Sequence, residues 1–124
     1  MTADFVVSEV FPAELTTPAE ARRFVVGALR AGGVDVDDAV PLVVSELVTN
    51  AVLHAGTSAQ VDVRIGNDRV RIEVHDSVTD LPTLRQPDPL TVTGRGLVLV
   101  DALSDRWGAL PTAVGKVVWF EIDR

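Results

Sequence analysis

The spacing of the apolar residues is helical in the first half of the chain and alternating in the middle. Residues 5–11 are rich in Val and Phe and stop before a proline, which predicts a strand. Thr17, Pro18 and Glu20 then have the spacing of a capping box with proline at the first helical position. They predict a helix that ends at Gly32-Gly33.

A second helix is predicted to begin at Asp37 or Asp38, to accept Pro41 in its first turn and to stop near Gly56. Its apolar residues share one broad face when they are placed at about 100° per residue. We expect that face to pack on a sheet. It comprises Val40, Val44, Leu47, Val48, Ala51 and Ala55.

Alternating apolar and polar residues mark the middle of the chain. Residues 61–65 and 70–76 alternate on either side of Gly66-Asn67-Asp68, which predicts a hairpin. From Ser77 to Thr93 the pattern dissolves into a stretch with prolines and no periodicity. A loop of this length in a small domain indicates a function, and we interpret it as a lid.

A short apolar helix that opens at Gly94-Arg95-Gly96 and strands near 106–110 and 116–122 complete the pattern. The order β-α-α-β-β-lid-α-β-β predicts an α/β (α+β) two-layer sandwich. Its mainly antiparallel mixed sheet should be covered on one face by about three helices. The length of 124 residues fits a single domain over 1–124.

Composition narrows the class of protein. Hydrophobic residues make up 47% and charged residues 23% of the chain, which is typical of a globular fold. The net charge of −7 and the scattered basic residues argue against nucleic-acid or anionic membrane partners. The absence of cysteine excludes disulfides and thiolate metal sites. An acidic N-terminus and the lack of a long apolar run lead us to expect a cytoplasmic protein.

Glu46 and Asn50 lie four residues apart on the second helix, away from its apolar face. Their neighbours on the helical wheel are mostly apolar, and no Lys or Arg occurs between Asp35 and Gln60. The two side chains are either a solvated polar pair or groups that line a cavity. In a cavity, the Asn and Glu oxygens would suit Mg²⁺, and Glu46 could act as a base.

Asp76 continues the inward phase of the second hairpin strand, so its carboxylate should point towards the core. It then needs donors, either the amides of an Asx-type turn at Asp76-Ser77 or a ligand amino group such as that of adenine. His75 should face the other way. His54 either borders the Glu46 and Asn50 side or has a core or helix-end role.

Gly94-Arg95-Gly96 precedes an apolar helical run. Glycines at a helix start allow backbone amides to approach an anion, and phosphate is the natural guest. The alternative is a Gly-x-Gly that merely ends a loop. The spacing fits neither a Walker A nor a Rossmann motif.

Taken together, these segments resemble the GHKL (Bergerat-fold) ATPases. Residues 45–54, SELVTNAVLH, resemble the N box of that superfamily. Asp76 falls where the G1 box begins, and Gly94-Arg95-Gly96-Leu97 resembles the G2 box. The closing residues 115–121, GKVVWFE, resemble the branch that contains the anti-sigma-factor serine kinases and their actinobacterial relatives.

The resemblance implies a role for each matched residue. Asn50 would bind Mg²⁺ that bridges the ATP phosphates, and Glu46 would be the catalytic base that activates a Ser or Thr hydroxyl. Asp76 would accept a hydrogen bond from the adenine amino group. The nucleotide-binding G2 residues Gly94, Arg95, Gly96 and Leu97 would hold phosphate, with Arg95 adding positive charge near the γ-phosphate.

Two departures from the family pattern affect the adenine end of the site. The G1 segment from Asp76 to Pro82 lacks the glycines that commonly follow the Asp. In the last motif, Lys116 and Val117 stand where many relatives have a Thr. These departures predict modest ATP affinity.

The resemblance implies an anti-sigma factor with serine/threonine kinase activity. Its partners would be a sigma factor or similar regulator and a small anti-anti-sigma antagonist, which is phosphorylated; a two-fold homodimer is also expected. One alternative is a catalytically inactive switch that binds nucleotide only to set its affinity for a protein partner. The other is an interaction module that binds no ATP.

Overall fold

The computed structural model describes residues 5–35, 37–77 and 92–124. The elements follow the predicted order. They are β1 (Phe5–Phe11), α1 (Thr17–Ala31), α2 (Ala39–Thr49), a π-helical turn (Asn50–His54), β2 (Ala59–Ile65), β3 (Arg69–Asp76), α3 (Val92–Leu103), β4 (Arg106–Pro111) and β5 (Lys116–Asp123). Most of the predicted lid, residues 78–91, lies outside the described residues.

The five strands form one sheet in the order β1-β2-β3-β5-β4, and each neighbouring pair is antiparallel. The two-layer α+β sandwich is therefore confirmed. The core lies between the sheet and the helices and is rich in valine. Its largest fully buried apolar side chains are Phe120, Ile72, Val25, Val43, Val44, Val48, Val61, Val63 and Val100. Among the described residues, no helix is long and apolar enough to cross a bilayer.

The start of α1 differs from the predicted capping box. The helix begins at Thr17 itself, with Thr16 as the N-cap, and no side chain caps it. The Thr17 hydroxyl instead donates a hydrogen bond of 2.7 Å to the carbonyl oxygen of Pro12. Because Thr17 is fully buried, its hydroxyl needs an acceptor, and Pro12, the residue after β1, supplies one.

Helix α2 carries the predicted apolar face as far as Ala51, but Ala55 is exposed. The cause is the π-helical turn, in which the Ala55 amide donates to the carbonyl oxygen of Asn50, five residues back. The wider turn changes the phase of the side chains after Asn50. Ala55 consequently leaves the core, whereas Val52 is buried.

Candidate functional site

The carboxylate of Asp76 points inward, as its strand phase predicts, and is paired with a lysine. Asp76 and Lys116 lie directly opposite each other at the ends of β3 and β5. The Nζ of Lys116 donates to Oδ2 of Asp76 at 2.6 Å. The side chain of Lys116 is only 9% exposed and that of Asp76 only 5%. The pair therefore forms a buried ion pair at the edge of the core.

Asn50 lies at the junction between α2 and the π-helical turn. Its Oδ1 is buried and has no hydrogen-bond partner in the part of the chain that the structure describes. A buried acceptor without a donor costs about 1–3 kcal/mol, so native proteins usually supply one. π-helical turns frequently occur at functional sites. Both features make Asn50 Oδ1 a candidate ligand atom.

Helix α3 approaches Asn50 through a glycine. A Cβ added to Gly96 would lie 3.5 Å from Asn50 Nδ2 and 3.3 Å from Leu47 Cδ2, so α3 packs closely on α2 here. The helix begins at Val92, two residues earlier than the predicted glycine opening. Gly94 therefore lies in the first turn, where helical N–H groups lack intrahelical acceptors.

Asn50, Asp76 and Lys116 line one small cavity. Its volume is about 20 Å³, which is room for about one water molecule. The lining residues are Leu47, Asn50, Val74, Asp76, Leu97, Lys116 and Val118. The structure thus brings together the predicted residues Asn50, Asp76 and Leu97, and it adds a lysine that the sequence did not assign to the site.

Glu46 lies one helical turn before Asn50 and is half-buried. His54 is exposed at the end of the π-helical turn, which fits the helix-end alternative. Two larger surface grooves lie elsewhere. One, of about 670 Å³, is lined by residues of α1 and α2, and one, of about 440 Å³, lies beside the chain's C-terminus. None of the predicted site residues lines either groove.

The outer face of the sheet carries a separate charged network. The ring nitrogen Nε2 of His75 lies 3.0 Å from Glu73 Oε1 and 3.3 Å from Asp62 Oδ2. Arg71 donates to Glu73 at 2.7 Å and to Glu121 at 3.1 Å. The prediction that His75 faces away from Asp76 is confirmed. We interpret this network as structural, because the side chains satisfy one another.

Ion pairing in this network changes the pKa of two carboxyl groups. Burial alone would raise the pKa of Glu73, but the hydrogen bonds with Arg71 and His75 lower it below its usual range. Burial likewise opposes the charge of Glu121, and the hydrogen bonds from Arg106 and Arg71 outweigh it and lower its pKa. Both groups are therefore held as carboxylates in the folded protein.

A family profile for the histidine kinase-like ATPase domain matches residues 11–122. The match covers most of the 124-residue chain, and the chain belongs to this family. No curated protein sequence matches it. Family membership supports an ATP-binding, kinase-like ATPase function. It confirms the resemblance to the GHKL-type ATPases at the level of the superfamily.

The two ends of the candidate site differ in how well they fit Mg·ATP. At one end, Asn50 Oδ1 is a buried oxygen ligand of the kind that a hard cation accepts. At the other end, Asp76 already accepts a hydrogen bond from Lys116. A cavity of about 20 Å³ is also far below the roughly 300 Å³ at which ligand pockets begin. The end of the site at Asn50 therefore fits a metal ion. The end at Asp76, here called the base end because adenine would bind there, does not fit a nucleotide base in this arrangement.

Sequence reasoning missed the role of Lys116. The motif comparison makes Lys116 a departure from the family pattern, and strand phase leaves turn amides or a ligand as the donors to Asp76. The pairing follows from the register of β3 with β5, which joins residues 40 positions apart. The available signal was the chain's single lysine at the start of a predicted strand.

Proposed function

We propose that this protein is an ATP-dependent serine/threonine protein kinase of the anti-sigma type. One observation carries the proposal: the Oδ1 of Asn50 is buried without a hydrogen-bond partner among the described residues. It lines the same cavity as Asp76 and lies one helical turn after Glu46. A bound divalent metal ion would give this oxygen the contact that the described residues do not supply.

The residues of the site would then divide the chemistry among them. Asn50 would hold Mg²⁺, which neutralises charge on the phosphates. The Glu46 carboxylate would accept the proton of a Ser or Thr hydroxyl on the protein substrate. That oxygen would bond to the γ-phosphorus as the bond from phosphorus to the β–γ bridging oxygen breaks, and ADP would leave with the electron pair. Gly94 in the first turn of α3 supports phosphate binding by backbone amides.

The proposed partners are proteins. A sigma factor or similar regulator would be sequestered, and a small anti-anti-sigma antagonist would bind and be phosphorylated. The net charge of −7 without a basic cluster supports protein partners over nucleic acid or a membrane surface. A two-fold homodimer is the default symmetry for such an assembly. We further propose that the protein acts in the cytoplasm.

The buried pair of Asp76 and Lys116 favours a second candidate function. With the base end blocked, the protein would be a catalytically weak or inactive switch that sequesters a regulatory partner and binds nucleotide to adjust that affinity. Phosphate transfer separates the two candidates. The kinase phosphorylates its antagonist, whereas the switch only changes its affinity for the partner.

In the experiment, the protein is incubated with γ-labelled Mg·ATP and with candidate antagonist proteins whose genes lie near its own. The labelled residue is then mapped. The kinase proposal predicts label on one Ser or Thr of one antagonist. It also predicts that Glu46→Gln loses this label while Glu20→Gln, a change on α1, keeps it. Label on no candidate, together with nucleotide-dependent partner binding, would favour the switch.

A further inference from the structure

A cation lies beside the carboxylate that would accept the adenine amino group in the proposed site. Lys116 is the chain's single lysine. Its ammonium is 2.6 Å from the Asp76 carboxylate, in the cavity that Asn50 also lines. Both side chains are at least nine-tenths buried. The carboxylate assigned to the amino group of adenine is therefore engaged by an amino group of the protein itself.

The sheet holds this pair in place. Lys116 is the first residue of β5 and lies directly opposite Asp76, the last residue of β3. Side chains at directly opposed positions of antiparallel strands project from the same face and are close together. Gly115 also brings the backbones together at this point, since any Cβ there would be within 2.8 Å of the Asp76 carbonyl carbon. Strand pairing, rather than a loose surface contact, thus sets the position of the ammonium.

Lys116 donates to Oδ2 of Asp76 from inside the cavity, so an adenine amino group that approaches this oxygen has to displace the ammonium, which is also a donor. They cannot bond to each other through these groups. The cavity of about 20 Å³ has room for about one water molecule. A purine therefore needs the volume of the lysine side chain as well as its acceptor.

We propose that Lys116 is an affinity-setting residue of the nucleotide site, which competes with the base for Asp76. Nucleotide then binds in the cavity only when the Lys116 ammonium withdraws from the carboxylate. This inference rests on the proposed function and narrows it. The free protein has low affinity for ATP, and any change that draws Lys116 away from Asp76 raises that affinity.

The first experiment is calorimetric titration of Mg·ATP into the wild type and Lys116→Thr. Threonine removes the ammonium and most of the side-chain volume, and it keeps a hydroxyl that can donate to Asp76. We expect Lys116→Thr to bind ATP at least tenfold more tightly than the wild type. Lys116→Arg keeps the charge and bulk and should bind no more tightly than the wild type.

A matched control removes a cation away from the cavity. Arg64 is an exposed residue of β2 whose nearest acidic partner, Glu73, is 3.9 Å away. Arg64→Thr changes the net charge by the same amount as Lys116→Thr and should leave ATP affinity within twofold of wild type. Urea unfolding of each variant establishes that it is folded before the titration.

A second experiment uses the unaltered protein, and it carries the test if Lys116→Thr does not fold. An amine-selective reagent can modify only Lys116 and the N-terminal amine, because there is no other lysine. Burial against Asp76 should make labelling of Lys116 slow in the free protein. With millimolar Mg·ATP, labelling should become at least threefold faster relative to the N-terminal amine.

The outcomes distinguish this inference from the proposed function. If the wild type binds ATP and Lys116→Thr binds it equally or more weakly, Lys116 does not compete with the nucleotide base for Asp76. The proposed nucleotide site is retained in that case. Labelling that is not accelerated by bound ATP overturns the inference in the same way. If neither protein binds ATP at millimolar concentration, the proposed function itself fails.

Discussion

Gly115 packs against the backbone of Asp76 so closely that it leaves no room for a side chain. A Cβ on Gly115 would lie 2.6 Å from the Cα of Ser77 and 2.8 Å from the carbonyl carbon of Asp76. Backbone atoms cannot rotate away as a flexible side chain can. This contact fixes the end of β3 relative to β5, and with it the carboxylate at the base end of the site.

Gly115→Ala should therefore lower the free energy of unfolding by about 1–3 kcal/mol, the usual cost of overpacking. Urea unfolding followed by tryptophan fluorescence measures the change. Gly27→Ala is the matched control, since Gly27 lies in α1 and has no atom within 4 Å of an added Cβ. The control should raise stability by about 0.5–1 kcal/mol, because alanine is the better helix former. Equal effects of the two changes would contradict the close approach at Gly115.

Asn50→Leu should separate stability from ligand binding. The variant removes a buried acceptor that has no partner among the described residues, so the free energy of unfolding should stay within about 1 kcal/mol of wild type. Binding of Mg·ATP, measured by calorimetry, should weaken at least tenfold. A large loss of stability with unchanged ATP binding would show that Asn50 has a structural role instead.

Glu46→Gln should abolish phosphate transfer to the antagonist and change ATP affinity less than threefold. The amide has nearly the shape of the carboxylate but cannot accept the hydroxyl proton as a base. Single-turnover transfer with labelled Mg·ATP and a separate binding titration give the two quantities. A transfer rate equal to wild type would reject Glu46 as the base.

Acid should destabilise the protein by protonating the carboxylates of Glu73 and Glu121 on the outer face of the sheet. The pKa values of Glu73 and Glu121 are lowered in the folded state, from an ordinary value of 4.5, by the arginines that contact them. A lowered folded-state pKa contributes stability that is fully present above the unfolded-state value and is lost as pH falls through the folded-state value. We therefore expect unfolding free energy to decrease as the pH falls below about 4.5.

Urea unfolding at pH 7, 5, 4 and 3 checks this expectation. Glu121→Gln should flatten the decline, because Glu121 is buried and contacts three arginines: Arg69, Arg71 and Arg106. The exposed Glu14→Gln serves as the control and should leave the profile unchanged. If the free energy of unfolding of Glu121→Gln falls as steeply with pH as that of the wild type, the acid sensitivity arises elsewhere in the protein.

The pattern of the sequence predicted the fold well because each element has its own local signal. The alternation around Gly66-Asn67-Asp68 gave the hairpin of β2 and β3, where the Gly66 amide donates to the Arg69 carbonyl oxygen. A helical wheel with a constant 100° step places Ala55 on the buried face, because such a wheel cannot represent a π-helical turn. Thr17 does not cap α1 as predicted, because its hydroxyl donates to the carbonyl oxygen of Pro12 in the folded chain.

The candidate site was predictable only in part for a similar reason. Glu46 and Asn50 are neighbours on one helix, and Asp76 follows from strand phase, so local reasoning found them. The pairing of Asp76 with Lys116 depends on which strand β3 adopts as its neighbour. Nothing local to either residue specifies that choice, because the strands are separated by α3 and β4 along the chain.

The location of nucleotide binding is tested most directly by a titration of ¹⁵N-labelled protein with Mg·ATP, followed by amide chemical shifts. A nucleotide in the proposed site should shift the amides of Asn50, Gly96 and Lys116 most, and the shifts should follow a single-site binding curve that saturates only with an excess of Mg·ATP. Asn50→Leu should reduce these shifts at the same ATP concentration. The absence of shifts in both the wild type and Lys116→Thr, or the largest shifts at Asp62 and Glu73 on the outer face, would contradict the proposed site.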